Sequence, residues 1–212
     1  FESKLDKRAL LKLSIIFAIE GLFQPQFFVL CLILYLLASF WFHRKEPFNL
    51  NHYLLSTFAL GILLILLSAF WLQGFIQTSI FTEISPSHAE FFSPKLTQGV
   101  PAIAKILSMN GFWREAAYTT TYNTLPLPIW YTLLAILIIL ALIGYFTTKD
   151  TKAKFFYSAW WISLLLAAGI SHPYSKPLFD FLFNNIPLFS GFRDSHKFVA
   201  ILALSYSYLC YQ

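Results

Sequence analysis

Long stretches of this chain carry almost no polar side chain, and the polar residues gather in the gaps between them. Five apolar runs stand out: Phe27 to Phe42, Tyr53 to Leu72, Ile129 to Phe146, Phe155 to Ile170 and Phe198 to Gln212. A sixth run, Ala9 to Phe23, is weaker because it contains Lys12 and Glu20. The runs are continuous, without the strict alternation of barrel strands. Backbone in hydrocarbon must satisfy its own hydrogen bonds, which leaves helices. The expected fold is all-α: a polytopic transmembrane helical bundle of about six spans, with short horizontal helices between some of them. The last run has 15 residues, short of the roughly 20 that a span needs. It reads as a truncated span, and residues 1–212 as a single transmembrane domain excerpted from a longer protein.

The gaps set the expected topology. Gln24-Pro25-Gln26 reads as the tight turn of a helical hairpin, with a first helix lying flat on the membrane as the alternative. If the first run spans, Lys4, Lys7, Arg8, Arg44, Lys45, Lys149, Lys152 and Lys154 all fall in short segments on one side. The positive-inside rule makes that side cytoplasmic. The two long segments, residues 73–128 and 171–197, are then outside. The first is too long for a simple connection and needs structure of its own. Pro101 to Asn110 predicts a helix, with Pro in its first turn and Asn110-Gly111 as a stop. Its stripe of Ile103, Ile106 and Leu107 suits a membrane surface or the helix tips. Pro177 to Asn184 predicts a second short helix, and together the two would form a shelf over the bundle.

Composition agrees with the pattern. The chain is 58% hydrophobic, 19% aromatic and 12% charged, with mean hydropathy +0.63. Soluble domains carry roughly 25% charged residues. The net charge of +5 is better matched to anionic lipid headgroups than to nucleic acid, since no basic block interleaves with exposed aromatics. Membrane lipids are therefore the expected partner and nucleic acid is not. Cys31 and Cys210 lie inside apolar runs and read as small buried hydrophobes.

The densest chemistry is GFRDSHKFV, Gly191 to Val199, where Arg193, Asp194, His196 and Lys197 stand directly before an apolar run. With a helix starting near Ser195, Arg193 and Lys197 can share one side of its N-terminal end. That end itself favours anions. A phosphate or pyrophosphate would suit it, and so would simple anchoring among lipid phosphates. Asp194 can pair with either cation or cap the helix. Trp113, Arg114 and Glu115 offer an aromatic face beside a charged pair, fit for a sugar ring or for the interface belt that Tyr118, Tyr122, Trp130 and Tyr131 share. Glu83, His88 and Glu90 have ligand chemistry but no metal spacing, and no metal site is expected from them. His172 reads as an interfacial residue. Trp41 and Trp71 sit at the ends of their runs and need no further role. Glu20 is the most costly residue if its run spans; near the outer end it can reach water, and it ranks below Arg193 as a functional candidate. No catalytic acid or base can be named.

Three segments carry a resemblance: SAFWLQ (Ser68 to Gln73), LSMNGFWRE (Leu107 to Glu115) and IPLFSGFRDSHKF (Ile186 to Phe198). Together they resemble polytopic glycosyltransferases of the GT-C type and the YfhO-like, arabinofuranosyltransferase-like membrane proteins. The last segment departs from the family pattern at Ser195, where proline is expected. The resemblance implies an outer-face cell-envelope transferase that takes a sugar from a polyprenyl-phosphate donor and passes it to a glycan acceptor. It also implies a prokaryotic plasma-membrane location and a possible divalent metal; the cofactor is otherwise unknown. On that reading Arg193 and Lys197 are candidates for the donor phosphate, not the base, with His196, Trp113 and Arg114 as further substrate contacts. A transporter or flippase-like protein is the alternative, and a non-catalytic membrane subunit another. Transporters place polar groups near the midplane, whereas here they gather in the long segments.

Overall fold

In a computed structural model the described residues are 7–23, 25–43, 50–77, 90, 92–93, 101–109, 126–186 and 189–212. Every regular element among them is helical, so the all-α expectation holds. The chain divides into two compact units, Phe1–Thr82 and Glu83–Gln212.

The first unit holds α1 (Lys7–Phe23), α2 (Pro25–His43) and α3 (Leu50–Gln77). Pro25 is the first residue of α2, where its missing N–H costs nothing and its fixed φ suits the helix. α1 packs against both α2 and α3. Phe17, Leu60 and Leu64 form the core, flanked by Leu13, Phe28, Leu32 and Tyr35. Phe17 meets the rings of Phe28 and Tyr35 edge to face, each at 6.3 Å, the geometry that ring quadrupoles favour.

The second unit is built on α5 (Leu127–Thr147), α6 (Thr151–Ala168) and α8 (Val199–Tyr211), with the short helices α4 (Ala102–Leu107) and α7 (Lys176–Asn185). α8 lies against both α5 and α6. At one end of the α6–α8 pair the Tyr208 hydroxyl donates to Asp150 Oδ2 at 3.0 Å. At the other, Ser195 Oγ donates to the Ala167 carbonyl at 2.9 Å. The two helices are therefore antiparallel. A Cβ on Gly144 would collide with the Leu209 carbonyl, so glycine is what lets α5 and α8 approach closely. Tyr145 stacks on Tyr157 at 3.9 Å and Phe156 on Tyr208 at 4.4 Å. α4 packs on α6, and its Ala104 and Leu107 cover Trp130 and Leu134 of α5. The sequence pattern extends this helix to Asn110, but it ends at Leu107, and Met109 turns the chain with φ +61.

Many large apolar side chains are exposed, and several serines are buried. Ile15, Ile33, Leu55, Phe58, Ile139 and Phe146 are exposed, while Ser14, Ser163 and Ser205 are buried. Ser163 and Ser205 reach back to the carbonyls of Trp160 and Ile201 at 3.0 and 2.8 Å, which makes their burial tolerable. Large exposed apolar surface is a common feature of lipid-facing or protein-facing exteriors. Among the described residues one helix is long and apolar enough to cross a membrane, Pro128–Thr147, with mean hydropathy 2.4 and only 22% of it buried. A core helix of a soluble protein would be mostly buried. Gln26–Phe42 and Thr57–Leu67 are shorter apolar helices. The other runs are helical as expected but too short or too polar for that test: α8 has 13 residues, and α6 begins with Lys152 and Lys154.

Candidate functional site

The charged stretch is reached through a series of tight turns. α6 stops at Gly169, whose φ of +59 and ψ of −149 lie in a region that only glycine occupies readily. A 3₁₀ turn, Gly169–Ser171, leads into α7. Ser175 Oγ donates to the Gly169 carbonyl at 2.6 Å and lies within 3.2 Å of the His172 carbonyl. After α7 the chain makes a 3₁₀ turn at Phe189–Phe192, then Arg193 and Asp194, then a second 3₁₀ turn at Ser195–Phe198 that runs straight into α8. The α-helix thus begins four residues later than the start near Ser195 that the sequence suggests.

Two kinds of packing hold this stretch. On one side Phe189, Phe192 and Phe198 form a ring cluster with centroids 5.4 to 6.2 Å apart, joined by Phe179 of α7 at 5.4 Å from Phe189. On the other side lie buried serines. Ser93, Ser175 and Ser195 are all fully buried. A Cβ on Gly169 would lie 2.7 Å from Ser195 Oγ and 3.0 Å from Ser93 Oγ. The serines therefore crowd onto the one residue that presents no side chain. Ser195 is the position where the resembled pattern has proline; here its hydroxyl ties the turn to the end of α6, a bond proline cannot make.

Arg193, His196 and Lys197 are all half-buried, and Arg193 and Lys197 are close enough for their charges to interact. Asp194 takes the capping role among the options open to it: its Oδ1 accepts from the His196 N–H at 3.2 Å. The first free N–H of the turn is thus used internally, and the cations rather than the helix end make the site attractive to anions. Among the described residues no ion pair joins Asp194 to Arg193 or Lys197. Burial pushes the Lys197 ammonium below its usual range; Asp194 opposes that shift and the Arg193 charge reinforces it. The Arg193 guanidinium lies over the ring of Phe92, 5.0 Å from its centroid, a cation–π distance. Among the described residues, two half-buried cations thus stand beside one carboxylate, Asp194.

Several expected residues are placed elsewhere. His172 sits with Tyr174, ring centroids 5.4 Å apart. Glu90 is exposed, and its carbonyl accepts from the Ser93 N–H at 3.3 Å. Trp113, Arg114, Glu83 and His88 lie outside the described residues. Among the described residues no group of three His, Cys, Asp or Glu is placed to hold a metal ion. Among the described residues, Asp194 beside the cations already accepts a backbone N–H through Oδ1 and has no second carboxylate or imidazole grouped with it to hold a divalent metal.

Four site residues escaped the sequence pattern: Phe92, Ser93, Gly169 and Ser175. Gly169 had a local signal, a glycine closing an apolar run. Phe92 and Ser93 had none, because they meet the cluster only through the fold. Lys105 was also missed as a core residue, being fully buried on α4. A slot of about 150 Å³ lined by Ser108, Trp130, Leu133, Leu134 and Leu137 runs beside α4. Comparison with known protein families, with curated proteins and with solved structures returns no match to this chain.

Proposed function

We propose that the chain works as part of an outer-face membrane glycosyltransferase, in which Arg193 and Lys197 hold the phosphate of a polyprenyl-phosphate-linked sugar donor. The observation that carries the reading is the pairing of these two half-buried cations at the mouth of α8 without an ion-pair partner among the described residues. The resemblance of Ile186 to Phe198 to the GT-C and YfhO-like pattern supplies the donor class. On this reading α1, α2, α3, α6 and α8 cross the bilayer as α5 does, with Lys149, Lys152 and Lys154 on the cytoplasmic side and the two long segments outside. The exposed apolar surfaces of these helices support the membrane setting.

The chemistry follows from charge. Sugar transfer to an acceptor hydroxyl breaks the bond to the donor phosphate, so negative charge grows on the departing oxygens. Cations fixed beside those oxygens stabilise the transition state more than the ground state. Arg193 offers a planar fork for two oxygens and Lys197 a point charge. His196, in the same turn, supplies a further donor.

The test is sugar transfer from a polyprenyl-phosphate donor by the full-length protein in membranes. Arg193→Ala is expected to lower the rate by about 100-fold, the scale seen when one oxyanion-stabilising group is removed, and Lys197→Ala to lower it as well. Wild-type donor affinity and rate in both variants would leave the two residues as headgroup anchors and remove the proposal.

A further inference from the structure

Phe92 and Ser93 belong to the 73–128 segment, yet they are built into the cluster of the 171–197 segment. Ser93 is fully buried, with its hydroxyl against the bare face of Gly169. The turn from Glu90 to Ser93, closed by the Ser93 N–H to Glu90 carbonyl bond, therefore presents Phe92 from a docked position. Its ring lies under the Arg193 guanidinium. No described carboxylate forms an ion pair with Arg193, and the Phe92 ring is the described side chain that meets its guanidinium.

From this geometry we infer that Phe92 is a positioning residue for phosphate recognition: it holds the face of the Arg193 guanidinium and leaves the N–H edge for an oxyanion. The inference rests on the phosphate-binding reading of Arg193 and Lys197 and deepens it. An arginine side chain free in solution samples many rotamers, and each must be given up on binding. A ring beneath the guanidinium restricts it in advance without neutralising its charge, which a carboxylate in the same place would do. The interaction needs the face of an aromatic ring, so tyrosine and tryptophan can replace phenylalanine and an aliphatic side chain cannot. It also makes the site a product of both long segments.

The experiment uses the full chain in discs of zwitterionic lipid, with two probes: polyprenyl phosphate in the disc and inorganic pyrophosphate in solution. Phe92→Leu, which keeps apolar bulk but removes the ring face, is expected to weaken binding on the order of tenfold. Phe92→Tyr and Phe92→Trp are expected to bind within about threefold of wild type. Loss with the lipid-borne probe alone assigns the site to a lipid headgroup; loss with both assigns it to phosphate from either source. Wild-type binding by Phe92→Leu, in a protein whose binding Arg193→Ala abolishes, would overturn the inference and leave the site standing. An equal loss in Phe92→Leu and Phe92→Tyr would also overturn it, since the ring face would then be irrelevant. Wild-type binding by Arg193→Ala would instead remove the phosphate reading itself.

Discussion

The two ends of the α6–α8 pair use the same capping device in opposite surroundings. At one end Asp150 accepts from the Lys152 N–H at 3.0 Å; at the other Asp194 accepts from the His196 N–H at 3.2 Å. Each aspartate is followed closely by a lysine. Asp150 lies in an exposed turn, and its second oxygen takes the Tyr208 hydroxyl. Nothing there is left seeking a charge. At the Asp194 end, burial replaces solvent. Fully buried serines, a glycine at positive φ and a cluster of phenylalanines lock the turn, and the cations stand half out of water. The same cap is thus a stability feature at one end and the frame of a candidate site at the other. What differs is how much water can reach the charges, and desolvation is what gives a fixed charge its strength toward a ligand.

The largest expected effect that separates the ends comes from Gly169→Ala. The new Cβ would sit within 2.9 Å of Ser195 Cβ and at a φ of +59, and strain of both kinds adds to about 3 kcal/mol of lost stability. Chemical unfolding in detergent should show that loss, together with weakened phosphate binding. Gly61→Ala is the control. Nothing lies within 4 Å of its Cβ position in α3, so the change should be neutral or stabilise by up to about 1 kcal/mol.

A smaller effect dissociates stability from binding. Ser195→Ala removes the bond to the Ala167 carbonyl, and Asp150→Ala removes the α6 cap. Each is expected to cost about 1 kcal/mol. Phosphate titration should then separate them: Ser195→Ala binds more weakly, because it loosens the turn that carries Lys197, while Asp150→Ala binds as wild type. Equal binding losses in both would show that the two ends are not functionally distinct.

The smallest effect is on pH dependence. The Asp150 carboxyl is held below its ordinary 3.8, chiefly by the Lys152 N–H. Its contribution is present above that value and is lost as pH falls through the folded pKa. Lys197 is depressed below 10.5 by burial. Between its folded value and 10.5 the unfolded chain binds more protons, so stability rises with pH across that window. Anion binding should fall across the same window as the ammonium loses its charge. A denaturation series over pH, repeated with Lys197→Met, isolates the second contribution: the alkaline rise in stability should vanish in the variant.

Much of the helix pattern could be read from the residues alone. The runs of Leu, Ile and Phe place six helices within a few residues of their observed positions, because apolar continuity and helix formation are local properties. Pro177 marks a helix start for the same reason, whereas Pro25, read as part of a turn, is already the first residue of α2. The charged group Arg193, Asp194, His196 and Lys197 was also visible, since its members are neighbours in the chain. An α-helix starting near Ser195 is not what forms: Ser195–Phe198 make a 3₁₀ turn, and the Ser195 hydroxyl is held by the Ala167 carbonyl 28 residues away, a contact that no local pattern contains.

Three aspects rest on the sequence by itself: the helical class, the surplus of apolar surface, and a cluster of cations placed where an apolar helix begins. Short-range backbone preference and the free energy of hydrating apolar side chains are enough to dictate all of these. Only the tertiary structure decided which groups those cations meet. Phe92 under Arg193, Ser93 against Gly169 and Ser195 on the end of α6 are contacts between residues far apart in the chain. No local pattern encodes them, since each exists only once the helices have packed and the turns between them have nowhere else to go.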